Sequence, residues 1–167
     1  MSKAFFSPDI IEFLYLLFKY KVKYLIVGGE AVIYYGYARL TGDIDIFYEC
    51  DRENVTKLYK MLNEFWSNNI PGLNSKEELL QKGSVFQFGV PPNRIDLMNT
   101  IEGIGFKNAW INKKEDIISH KKKEFKIYYL GLYDLIKNKK VVNRFKDKDD
   151  LKFLQELEKK KKYKNKK

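Results

Sequence analysis

Two aspartates separated by a single isoleucine, Asp43-Ile44-Asp45-Ile46, restrict the fold of this chain more than any other feature. In a strand, residues two apart share a face, so Asp43 and Asp45 stand together while Ile44 and Ile46 turn to the core. Two carboxylates about 4 Å apart repel by roughly 4 kcal/mol at an effective dielectric of 20. Aspartate is also a poor strand former. Without a compensating cation, one carboxyl would keep its proton or the strand would suffer. A divalent metal held by carboxylate oxygens offsets that cost directly. A third acid has the same setting: Arg94-Ile95-Asp96-Leu97-Met98 puts Asp96 on the polar side of a second strand. If the two strands lie side by side, three carboxylates converge. Such a patch can hold the paired Mg²⁺ ions of phosphoryl chemistry, with Mn²⁺ as a substitute.

Upstream, Tyr24-Leu25-Ile26-Val27 is a continuous apolar run suited to a strand buried on both faces. Gly28-Gly29 ends it, offering backbone free of side chains and N–H groups for a triphosphate at the start of a short helix, Glu30 to Tyr35. An amphipathic helix precedes the run, with Ser7 or Asp9 as cap, Pro8 in its first turn, and Ile10, Ile11, Phe13, Leu14, Leu17 and Phe18 as its apolar face. Further helices are predicted over Glu53–Trp66, Lys76–Gln81, Leu132–Asn143 and Asp147–Lys161, with strands at Val85–Phe88, Arg94–Met98 and Ile127–Leu130. Phe106 to Lys126 reads as a mixture of short helix and extended pieces. Strands alternating with helices predict an α/β (α+β) fold, a short mixed sheet flanked by helices, with the last helices closing the site.

Composition narrows the setting. At 167 residues the chain is about one domain long. We expect that domain over residues 1–155, followed by a disordered lysine-rich tail, 156–167. One cysteine, Cys50, excludes an internal disulfide framework, and one histidine, His120, excludes a multi-histidine metal centre. No signal peptide is visible and the longest apolar stretch is far short of a membrane span, so the expected setting is cytoplasmic, with no membrane partner. The net charge of +10 includes seven lysines in Lys159–Lys167 and falls to +3 without them. With 28 lysines and only four arginines, this is lysine bias more than a phosphate-reading surface, although the tail remains a candidate contact for nucleic acid. Tyr34, Tyr35 and Tyr37 can stack on a nucleobase or pack in the core. His120 is read as part of an exposed turn and Cys50 as structural. Gly103-Ile104-Gly105 lacks the third glycine of a dinucleotide loop.

Gly28-Gly29, thirteen intervening residues, Asp43-x-Asp45 and a later strand aspartate, Asp96, together resemble the nucleotidyltransferase superfamily related to DNA polymerase beta. The fuller string, Val27-Gly28-Gly29-Glu30-Ala31, Tyr37-Ala38-Arg39 and Thr41-Gly42-Asp43-Ile44-Asp45, is similar to the small bacterial branch that holds the AbiEii-type abortive-infection toxins and uncharacterised relatives. The branch's closing signature is resembled by Asp134-Leu135-Ile136, Lys139, Arg144-Phe145-Lys146-Asp147 and Asp150-Leu151. The resemblance implies Mg²⁺-dependent transfer of NMP from an NTP to an acceptor hydroxyl (tRNA, protein or small molecule), with release of pyrophosphate. Asp43, Asp45 and Asp96 would be catalytic and metal-binding. Gly28, Gly29, Arg39, Thr41, Lys139 and Lys146 would bind the nucleotide, Lys139 by reaching its phosphates, with Asp150 bracing the pocket. It also implies an alternative: a non-catalytic or partner-dependent component of a toxin–antitoxin or phage-defence pair, with an antitoxin or small helical protein as partner. The larger toxin-like members continue into a substantial helical region; here about 30 residues follow the core.

Overall fold

A computed structural model describes residues 6–164. Chain order runs α1 (Pro8–Lys19), β1 (Tyr24–Val27), α2 (Gly28–Tyr34), β2 (Asp43–Tyr48), α3 (Arg52–Phe65), a 3-10 turn (Lys76–Leu80), β3 (Val85–Phe88), β4 (Arg94–Met98), α4 (Phe106–Ile111), β5 (Lys114–His120), β6 (Lys123–Tyr129), α5 (Leu132–Val142) and α6 (Asp147–Lys164). The strands form one mixed sheet in the order β3-β4-β2-β1-β6-β5. β1 is antiparallel to β2 and parallel to β6, and β2 is parallel to β4. The architecture is the expected mixed α/β one.

Burial follows the apolar runs. Every residue of β1 is buried, as suits an inner strand with neighbours on both edges. Ser7 caps α1 by accepting from the Ile10 N–H, with Pro8 in the first turn. The buried stripe of that helix is Ile10, Phe13, Leu14, Leu16 and Leu17, whereas Phe18 is 41% exposed. Asn54 of α3 ties the outer ends of β1 and β2 together. Its side-chain N–H groups donate to the carbonyls of Lys23 (3.0 Å) and Glu49 (2.9 Å), and its Oδ1 accepts from the Lys23 N–H (2.7 Å). Those three bonds offset the cost of burying the amide while they hold the strand spacing.

Three elements differ from the sequence expectation. The stretch expected to mix helix and extended pieces contains a seven-by-seven residue hairpin, β5–β6, so the last strand starts at Lys123 rather than Ile127. Its turn is Lys121-Lys122, both at positive φ (48° and 65°), the geometry that asparagine and glycine usually advertise and lysine does not. The short helix after β1 begins at Gly28 itself. The lysine-rich segment beyond residue 155 continues α6 as helix to Lys164, and residues 165–167 lie outside the described ones. Among the described residues no helix is long and apolar enough to cross a membrane.

A carboxylate cluster as candidate metal centre

The parallel pairing of β2 with β4 sets Asp45 directly beside Asp96 and Asp43 beside Arg94. Ligand oxygens of Asp43, Asp45 and Asp96 lie within 4.8 Å of one another. The three acids predicted to meet do meet. Asp96 is buried and held from the outer strand, where Gln87, its cross-strand partner on β3, donates to Oδ2 at 3.2 Å. Thr41 Oγ1 lies 3.0 Å from both the carboxylate and the carbonyl of Asp43, pinning the entry to β2.

Arg94 is the site residue that sequence reasoning passed over. Its Nη2 donates to Asp43 (2.5 Å) and to Asp96 (3.1 Å), and its Nε to Asp96 (3.0 Å). The signal was present: Arg94 and Asp96 share a strand face, so an arginine two residues before the third acid must point at the same patch. One guanidinium against three carboxylates leaves excess negative charge. It falls on Asp45, whose carboxylate accepts no hydrogen bond among the described residues. Burial first, then Asp43 and Asp96, push its carboxyl up to about 6, against the opposing pull of Arg144 and Arg94.

Gly28 explains how a carboxylate can stand there. A Cβ on this residue would lie 2.0 Å from Asp45 Oδ2, and its φ of +61° already disfavours any side chain. Gly29 has the same relation to Thr41, whose Oγ1 would be 3.0 Å from a Cβ. The two glycines therefore keep the floor of the cluster bare. The donor set is hard oxygen, multiply charged and half-buried, with one member lacking a partner. These residues fit a divalent cation such as Mg²⁺.

Glu30, in the first turn of α2, is a second residue missed. Burial, then Asp43 and Asp45, raise its carboxyl to about 7. With Thr41 and Asp43 it lines a cavity of about 240 Å³ whose other walls include Ile10, Ile44 and Pro92. It belongs to the Gly-Gly-Glu-Ala string, but no pattern marks a lone glutamate in a first turn.

The C-terminal residues of the predicted site form a separate ionic clamp between α5 and α6. Lys139 (4% exposed) lies 2.5 Å from Asp147 and 2.9 Å from Asp150, each 2% exposed. Arg39 pairs with Asp150, and Arg144 Nε donates to Asp147 at 2.7 Å. Burial pushes the Asp147 carboxyl up, but bonds from Arg144 and Lys139 outweigh it and hold the group below the usual carboxylate range. Lys139 is thus enclosed by acids rather than free to reach outward, and Lys146 is exposed on the connecting loop. The guanidiniums are what this clamp presents to the cluster. Arg39 lies 3.7 Å from where a Gly29 Cβ would be, and Arg144 lowers the proton affinity of Asp45.

The tyrosines of the α2 end pack on the protein. Tyr34 stacks on Tyr129 at 4.2 Å, the Tyr35 hydroxyl donates to the Leu130 carbonyl, and Tyr37 stacks on Phe153. Cys50 makes weak contacts with the carbonyls of Leu79 and Leu80, and His120 lies against Tyr15.

Residues 8–159 match a family described as a nucleotidyltransferase of unknown function (DUF6036). The chain belongs to that family. No curated protein matches it. Membership and the mixed sheet together give the nucleotidyltransferase fold, and the three acids occupy adjacent strands at its centre. A family of this class acts on nucleoside triphosphates, and the oxygen cluster can hold a divalent metal.

Proposed function

We propose that the protein transfers an NMP group from an NTP to an acceptor hydroxyl, dependent on Mg²⁺, with pyrophosphate as the leaving group. The observation that carries this reading is the oxygen triad of Asp43, Asp45 and Asp96 within 4.8 Å, with an Asp45 carboxylate that accepts no hydrogen bond among the described residues and stands over a side-chain-free Gly28. Asp43 and Asp45 would hold metal and, through it, the triphosphate; Asp96 would hold a second ion. Bound there, divalent cations neutralise the phosphate oxygens and polarise the attacking hydroxyl.

The chain's own groups do the rest. Gly28 and Gly29 let the phosphates approach the backbone closely. Thr41 fixes the Asp43 carboxylate in one orientation. Asp96, steadied by Gln87, takes the acceptor proton as the new O–P bond forms and the bond to the β-phosphate oxygen breaks. Arg39 and Arg144 face the leaving pyrophosphate as charge partners, while Lys139 acts through them by fixing Asp147 and Asp150. Arg94 screens the acids until nucleotide and metal arrive. Fixed position and charge neutralisation are the main needs of such a transfer. The acceptor hydroxyl belongs to tRNA, a protein or a small molecule.

Calorimetry with each NTP, with and without Mg²⁺, tests this against Asp43→Ala. Metal-dependent binding that disappears in the variant is expected, and labelled-NTP transfer to total tRNA and protein then identifies the acceptor. Binding of equal strength in Asp43→Ala would remove the site from this role.

A further inference from the structure

We infer that the protein binds single-stranded RNA in a lysine–tyrosine groove where the end of α6 meets the β5–β6 hairpin and the start of α5. Two adjoining cavities of about 580 and 390 Å³ form it, and Lys114 and Lys161 line both. These lysines come from distant parts of the chain, so their pairing is a product of the fold. Lys113 adds a third charge to the larger cavity, its ammonium 4.5 Å from the Trp110 ring centre. Each cavity also has aromatic lining. Tyr133, 68% exposed, stands in the larger, and Tyr34 and Tyr35 in the smaller, with Lys161 5.5 Å from the Tyr35 ring centre.

The arrangement matches two successive nucleotides. A phosphodiester between them meets the lysines common to both cavities, and the base in the larger cavity has the exposed Tyr133 ring to pack on. Stacking combined with backbone neutralisation is how single strands are held without sequence reading. A duplex keeps its base faces to itself and cannot use the aromatic rings. The carboxylates decide between RNA and DNA. Asp134 lines the larger cavity and Asp116 the smaller. They disfavour compact polyanions but accept hydrogen bonds from ribose 2′-hydroxyls, which DNA lacks. The groove is distinct from the acid cluster. Gly28 at the start of α2 underlies Asp45 and Tyr34 at its end lines the groove, about 10 Å of helix rise away. RNA binding here needs neither metal nor NTP, so it stands apart from the transfer reading.

Fluorescence anisotropy of the full chain with a labelled mixed-sequence RNA octamer, in EDTA and without nucleotide, tests this at several salt concentrations. RNA is expected to bind several-fold tighter than DNA of the same sequence or the RNA duplex. Lys114→Ala/Lys161→Ala should weaken binding about tenfold and reduce the salt slope by roughly 0.7 to 1.4. Tyr133→Leu should weaken it about fivefold with the slope unchanged. Lys122→Ala/Lys123→Ala, an equal charge change at the hairpin turn, should stay within about twofold of the parent. All five side chains are exposed, and circular dichroism checks that each variant folds. No RNA binding, equal affinity for DNA, or an equal loss in the turn variant would each overturn the inference.

Discussion

Two of the protein's ionic clusters, the acids of β2 and β4 and the clamp joining α5 to α6, are built to opposite ends. At β2 and β4 one guanidinium bonds two of three carboxylates, and the third, on Asp45, accepts no hydrogen bond among the described residues and is raised to about 6. Between α5 and α6 two buried carboxylates are enclosed by Lys139, Arg39 and Arg144, and Asp147 is held below its ordinary range. Burial acts on both. Partner count separates them: a satisfied buried network holds helices together, whereas an unsatisfied one costs stability unless a ligand completes it. The first can therefore take a cation, and the second holds α5 to α6 while it presents its arginines outward.

The sharpest test of that contrast removes the central cation of the clamp. Lys139→Met leaves two buried acids with less compensation and should cost about 3–5 kcal/mol in urea unfolding. A loss under 1 kcal/mol would mean the clamp is not holding α5 to α6.

The opposite sign is expected at the acid cluster. Asp45 holds its proton more tightly when folded, at about 6 against an ordinary 3.8, so its favourable contribution is complete below pH 4 and lost as pH rises through 6. Asp45→Asn should then be about 2–3 kcal/mol more stable than the parent at pH 8 in EDTA, and nearly equal at pH 4. The parent, but not the variant, should gain stability from Mg²⁺, by about 2.7 kcal/mol at a hundredfold excess over Kd. A variant less stable than the parent at pH 8 would show that Asp45 is satisfied after all.

Glu30→Gln is a milder version of the same experiment. With a carboxyl at about 7 against 4.5, the parent loses its Glu30 contribution as pH rises through 7. Glu30 is partly solvated, so screening cuts the full linkage effect, and thermal melts should show the variant gaining only roughly 1 kcal/mol between pH 5 and pH 8.5; a flat difference would contradict the placement of Glu30 beside Asp43 and Asp45. The smallest stability effect belongs to Arg144→Ala, because that side chain is 55% exposed. It should change stability by less than about 1 kcal/mol, yet weaken NTP binding in calorimetry about tenfold. Undiminished affinity would assign Arg144 to the scaffold alone.

Much of this contrast was legible along the chain. Alternation of acid and isoleucine marked β2, an aspartate between Ile95 and Leu97 marked β4, the apolar run marked β1, and the glycine pair marked a stretch of backbone free of side chains. Arg94 was readable from strand periodicity but looks like any surface arginine until the register is known. The β5–β6 hairpin was hidden because two lysines make its turn. Lys139 could not be placed from its own neighbours, since lysines are common on exposed helix faces and its burial depends on acids eight and eleven residues later.

Local pattern settled which residues share a face, because side-chain direction in strands and helices follows from backbone geometry within a few residues. It therefore foretold an acid face and an apolar core. Charge balance is a different kind of quantity. It depends on which side chains lie within a few ångströms and how much water lies between them. The pairing of β2 with β4 decided that Arg94 stands among three acids, and the packing of α5 on α6 decided that Lys139 is enclosed. Coulomb interactions act through space, without regard to the order of residues along the chain.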